Sequence, residues 1–131
     1  MKVLQPPGWP RPKGYSNGIS ARGRMIFTAG VVGWDEDQNF LSVRLADQFE
    51  QALRNIVAIL AEDGAGPEHV VRMTCYVIDV HAYRESLGPI GEAWKRVMGR
   101  NYPTMALVEV KGLVEPAAEI EIEAIAVVPD A

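Results

Sequence analysis

Near the C-terminus, the segment Glu119-Ile120-Glu121-Ile122-Glu123 alternates acid with isoleucine, a spacing that puts all the acids on one face of a β-strand. Such a stripe has two readings: a solvated or salt-bridged face, or one acid turned into a cleft where it orients or deprotonates water. Tyr15 offers a phenol that either packs half-buried or positions a substrate. Trp34 either walls a cleft or covers a neighbouring surface. Arg72, Arg24 and Lys111 stand on or beside predicted strands, where each is a surface charge or an anion clamp. His69 and His81 share no metal-ligand spacing with each other or with Cys75, so no metal is assigned. The sequence has no glycine-rich phosphate loop, no Gly-x-Ser-x-Gly elbow and no Cys-His pair, which argues against covalent catalysis.

These residues must be held by one small scaffold. A chain of 131 residues has the size of a single domain, read over residues 1–131, and its 48% hydrophobic and 23% charged residues are a globular balance. Thirteen Lys and Arg against seventeen Asp and Glu give a net charge of −4, which disfavours a nucleic-acid partner. The lone Cys75 cannot form an internal disulfide, and the proline-rich start lacks the layout of a signal peptide. Apolar runs fall well short of the roughly 18 residues a membrane helix needs. The expectation is a soluble cytoplasmic protein.

The β-prone residues 15–21 and 25–33, linked by Arg22-Gly23-Arg24, predict a hairpin, preceded by an edge strand over residues 2–4. Residues 34–39 read as a loop. Leu45, Phe49, Ala52, Leu53, Ile56, Ile59 and Leu60 recur at helical spacing and predict an amphipathic helix over 42–62, stopped by Gly64, Gly66 and Pro67. Residues 70–80 predict a central strand buried on both faces, with Cys75 an inert thiol. A second helix is expected over 81–98, with Tyr83, Leu87, Ile90, Trp94 and Val97 on one face and Gly88-Pro89 disturbing its first half. Strands over 104–111 and 118–128 follow. The outcome is a mixed sheet in an α+β fold, with both helices on one face. The other face then carries Val, Ile, Met and Leu with nothing to cover them, so it must meet another subunit, and a closed cyclic assembly would satisfy it.

The ordered pieces "KGYSNG", "GRMIFTAG", "QFEQALRNIVAILAEDGA", "VVRMTCYVID", "YPTMALVEV" and "IEIEAIAV" together resemble the reactive-intermediate deaminase (Rid, or YjgF) family over residues 14–128. The resemblance implies a chorismate-mutase-like subunit, three of which close a trimeric barrel with substrate clefts between neighbours. It also implies hydrolysis of reactive enamines and imines without metal or cofactor. In the family an arginine in a Pro-x-Arg-Ser segment grips the substrate carboxylate through paired hydrogen bonds. Here that segment reads Pro103-Thr104-Met105-Ala106, so the clamp position is Met105, which donates no hydrogen bond, and a family asparagine is lost near Gly88. By the same resemblance Tyr15 lines the cleft, Gly30 turns its backbone to the substrate and Glu121 positions water.

Three functions follow from these residues. The first is hydrolysis of an imine or enamine other than a simple 2-aminoacrylate-type acid, with Glu121 and Tyr15 as catalytic residues and Gly30, Trp34, Met105 and Arg72 at the substrate. The second is a non-catalytic binding or accessory protein that holds a small ligand in the inter-subunit cleft of a homotrimer. The third, a ribonuclease, is opposed by the acidic charge and the lack of a histidine pair.

Overall fold

The computed structural model describes residues 1–130, so the single domain read over 1–131 extends one residue past the described range. The strands are β1 (Lys2–Leu4), β2 (Gly18–Ser20), β3 (Arg24–Phe27), β4 (Val31–Val32), β5 (Val70–Val77), β6 (Thr104–Glu109) and β7 (Ile120–Val128). The α-helices are α1 (Leu45–Ala61), α2 (Val80–Glu85) and α3 (Leu87–Met98). The main sheet has the order β3-β7-β5-β6, with β4 also on β7. It is mixed, as expected: β5 and β6 run parallel and the other pairs antiparallel.

The predicted hairpin does not form. Strand β2 pairs with β1 in a separate two-stranded sheet, and β3 pairs with β7. The Arg22-Gly23-Arg24 turn is a corner between the two sheets. Gly23 takes φ 147°, and a β-carbon there would run into the backbone carbonyl of Val128, so a side chain does not fit. Local turn chemistry loses because β7 gives Ile26 a place beside Ala126, against the core. The single strand expected over 25–33 also divides. Between β3 and β4, Thr28 carries the ladder by donating its N–H to the Ala124 carbonyl (2.9 Å) and accepting the Ala124 N–H on its hydroxyl (3.0 Å).

Helix α1 buries Ala46, Phe49, Ala52, Leu53, Ile56 and Leu60 on the sheet. It starts at Leu45, later than residue 42, because the Ser42 hydroxyl accepts the Arg44 N–H and donates to Asp47, closing a turn ahead of the helix. It ends at left-handed Gly64 (φ 73°), with the Ala65 N–H donated back to the Leu60 carbonyl. The helix predicted over 81–98 is two helices broken at Ser86. The Asp79 carboxylate caps the first through the N–H groups of His81 and Ala82. Pro89 falls in the first turn of α3, where its missing N–H costs nothing.

Along β5, Met73, Cys75 and Val77 are fully buried under the helices, whereas Arg72 is exposed and Thr74 and Tyr76 are half-buried on the far side. The strand is central but covered on one face only, contrary to the expectation of burial on both. The register puts Glu121, Glu123 and Ile125 of β7 on the uncovered face with Arg72, Thr74 and Tyr76, while Ile120, Ile122 and Ala124 enter the core. Glu119 lies ahead of the strand. The uncovered face is therefore polar at its centre, with exposed Met25, Phe27 and Val108 toward its edges, and is less apolar than the sequence suggests. Cys75 is buried, and burial pushes its thiol up to about 12, as fits an inert thiol. Among the described residues no helix is long and apolar enough to cross a membrane.

An ionic clip joins the two long helices. Glu50 accepts from Arg54 one turn along α1 (2.7 Å) and from Arg96 on α3 (2.6 Å). The Arg96 hydrogen bond first, then that of Arg54, lower the Glu50 pKa from its ordinary 4.5. A lowered folded-state pKa gives stability that is present above the unfolded value and lost as pH falls through the folded one. Glu50→Gln is expected to cost about 1 kcal/mol near neutral pH, after allowance for solvent screening of the partly exposed arginines. The difference from wild type should shrink below pH 4.5, as read by urea denaturation across the acid range.

Candidate functional site

The segment ahead of β2 is tied to the start of β6. Ser16 donates its N–H to the Pro103 carbonyl (3.0 Å) and its hydroxyl to the Tyr102 carbonyl (2.5 Å), and bridges Thr104 in parallel. Thr104 in turn donates its hydroxyl to the Val71 carbonyl (2.6 Å). These bonds lay Tyr15 beside Met105. Met105 and Leu107 point to the helix side of β6, in register with Met73 and Cys75. Strand β6 is a sheet edge, so the helices do not fully cover them and a cleft of about 440 Å³ remains. Its walls are Tyr83 of α2, Leu87, Ile90 and Trp94 of α3, and Tyr15 and Tyr102. Trp94 stacks on Tyr102 with centroids 6.3 Å apart and planes 9° from parallel, and donates its indole N–H to the Asn101 carbonyl. Burial, and then the neighbouring Cys75, raise the pKa of Tyr83, so its phenol stays protonated at neutral pH.

A second cavity, of about 340 Å³, lies at the opposite edge and includes Gly30, Val32, Trp34, Asp35, Asn55 and Ile59. Asn55 on α1 donates to the carbonyls of Val32 (3.1 Å) and Trp34 (2.8 Å), which fixes the backbone on either side of Gly33. Trp34 packs on Phe40 at 5.7 Å. Glu121 lies one strand in, with its carboxylate against Gly30: a β-carbon there would sit 2.8 Å from the carboxyl carbon. Glycine leaves room for the carboxylate here, since a β-carbon would meet the far end of the Glu121 side chain.

The fold thus brings Tyr15 together with Met105, Gly30 together with Trp34 in the second cavity, and Glu121 against Gly30, but does not join the two groups within one chain. From β4 across β7 and β5 to β6 are three strand spacings, roughly 14 Å of sheet. Met105 and Glu121 also point to opposite faces. Arg72 is the clearest departure from expectation. It lies on the uncovered face beside Phe27, Thr74 and Glu123, while Met105 faces the helices, because successive strand residues alternate. Arg24 is ion-paired with Asp63, and Lys111 is exposed beyond β6. The basic residues that do line the Met105 cleft are Lys13 and Lys95, which sequence reasoning missed. A signal existed for Lys95: with Leu87 and Gly91 it forms a four-residue repeat along one face of α3.

Comparison with known proteins agrees with this architecture. The family model described as "Endoribonuclease L-PSP" matches residues 10–128. The chain is 31% identical over 128 residues to a RutC family protein of Aquifex aeolicus, covering 97% of this chain and 99% of that one. It is 30% identical over 105 residues to a human protein named 2-iminobutanoate/2-iminopropanoate deaminase, covering 79% and 73% of the two chains. Among solved structures, a Rid-family protein of unknown function from Yersinia pestis superposes with a TM-score of 0.84 at 28% identity, covering 97% of this chain and 98% of that one.

Gly33, between the two carbonyls that Asn55 holds, is packed against α1: a β-carbon there would lie 2.7 Å from the Gln48 α-carbon, which is backbone and cannot swing away. Gly33→Ala should therefore lower unfolding stability by about 1–3 kcal/mol, measured as a reduced urea midpoint. It should also change the fluorescence of the adjacent Trp34.

Proposed function

The chain belongs to the endoribonuclease L-PSP (Rid) family, and from that membership we propose that it is a cytoplasmic homotrimer that hydrolyses an imine or enamine other than the simplest three-carbon acids. The observation that carries the reading is the division of the candidate residues between opposite edges of one sheet, since a site split in this way becomes complete when the edge of one copy meets the other edge of the next. Three copies related by rotation would also cover the exposed Met25, Phe27 and Val108. The human relative's name as an imino-acid deaminase supports the reaction class, and the net charge of −4 weighs against an RNA substrate.

In the assembled cleft, Tyr15 positions the substrate and the backbone at Gly30 orients its polar end. Glu121 of the neighbouring copy accepts a proton from water as the water oxygen attacks the C=N carbon. The imine nitrogen takes up a proton to give a carbinolamine. This collapses with cleavage of the C–N bond, releasing ammonia and leaving the keto product. The sum is imine plus water to ketone plus ammonia. Met105 supplies no charge, so a small substrate held chiefly by its carboxylate loses a pair worth roughly 1.5–3 kcal/mol.

Light scattering should give three times the 14.4 kDa chain mass at micromolar concentration. With imino acids generated in place by an amino-acid oxidase, keto-acid formation from the three-carbon acid should be slow in wild type. Met105→Arg should raise it by about one to two orders of magnitude. Adding Glu121→Gln should abolish the gain. A monomer mass, or a folded trimeric Met105→Arg protein without activity, would overturn the reading. Wild-type turnover matching an arginine-bearing relative would show that Met105 does not disable the clamp.

A further inference from the structure

Met105 takes away the family's guanidinium, and the basic residues named from sequence lie elsewhere. The cleft over Met105 nevertheless has a built character of its own. Its floor of Met105 and Leu107 and its walls of Leu87 and Tyr83 are apolar, and the stacked Trp94–Tyr102 pair presents flat aromatic surface. A three-carbon imino acid has six heavy atoms and fills at most ~180 Å³ at a liquid-like ~30 Å³ each. In a single chain, before a neighbouring copy meets this edge, the cleft offers about 440 Å³. Leu87 is 57% exposed although it continues the apolar face of α3, as expected of a wall that a ligand covers.

The charge in this cleft also has a definite source. Among the described residues, Lys13 and Lys95 are the basic residues that line it, and Lys95 already lies 3.5 Å from Glu92. Among the described residues Lys13 forms no ion pair. It is placed by left-handed Gly14 (φ 82°), which turns the chain just before Tyr15 and the Ser16 anchor on β6. Lys13 is exposed among the residues that line this apolar cleft, and a lysine there suits a ligand with an apolar body and an anionic end. We propose that this cleft takes an imino or enamino acid with a large apolar side chain, aromatic by preference, and that Lys13 pairs with its carboxylate. The assignment rests on the hydrolase reading above and names the substrate class which that reading leaves open.

Binding of unreactive probes tests it without turnover. Calorimetric titrations would compare 3-phenylpropanoate, its amide and propanoate on wild type and on Lys13→Ala and Lys95→Ala. Wild type should bind 3-phenylpropanoate roughly tenfold or more tighter than propanoate, through burial of the ring, and about three- to tenfold tighter than the amide. Lys13→Ala should abolish the preference for acid over amide and leave amide affinity unchanged, whereas Lys95→Ala should keep the preference. Equal binding of acid and amide by wild type, a preference that survives Lys13→Ala, or propanoate binding as tightly as 3-phenylpropanoate would each overturn the proposal. Failure of the hydrolase reading appears as a wild type that shows these affinities but turns over no imine, and failure of the present one appears in the affinities alone.

Discussion

Strand β7 bonds to three others: β5 along one edge, and β3 and β4 in succession along the other. One continuous nine-residue strand must therefore meet two short partners whose directions are separated by residues 28–30. Thr28 resolves the mismatch by lending its hydroxyl to the ladder at Ala124. Glycine at position 30 then lets the chain pass close to the Glu121 carboxylate. The alternation of β7 does the rest: Ile120, Ile122, Ala124 and Ala126 form the core under α1 and α3, and the acids between them are left on the opposite face.

Both cavities follow from how the helices meet this sheet. Buried Gln48 ties α1 to the approach to β7, donating to the carbonyls of Ser42 and Ala117 and accepting the Glu119 N–H. Its side chain is satisfied on every side, as a buried amide must be. Asn55, two turns on, holds the chain around Trp34. Helix α3 leans against α1 through Phe49 and Trp94 and stops short of covering the edge strand β6. The helix side thus keeps an apolar cleft at one edge of the sheet. The uncovered side carries charge, including a Tyr76 phenol that donates to Glu123 and has its pKa raised by that bond.

Where periodicity and structure part, the site explains the difference. Ile59 and Leu87 repeat in phase with core residues, yet they are 42% and 57% exposed, and each lines a cavity. A helical repeat marks which face is apolar but not whether a neighbouring element reaches far enough to cover all of it. The lost hairpin is a failure of another kind. The residues around Gly23 satisfy the requirements of a turn, but the choice of partner for β3 depends on β7, nearly a hundred residues away in sequence.

The sequence by itself determined the element types, the mixed sheet, the shared face of both long helices, the burial of Cys75 and the family, because each rests on spacing or local composition or on an ordered set of short segments. That Met105 stands where the family carries a charged clamp is what the resemblance implies, an expectation for experiment to test. Only the tertiary structure decided that Tyr15 lies beside Met105, that Arg72 lies on the other face of the sheet, and that Lys13 and Lys95 are the cations of the cleft. The physical reason is that a strand residue's face is fixed by register with its partners, and register here is set by long-range pairing to β7 and by the Ser16 anchor on β6.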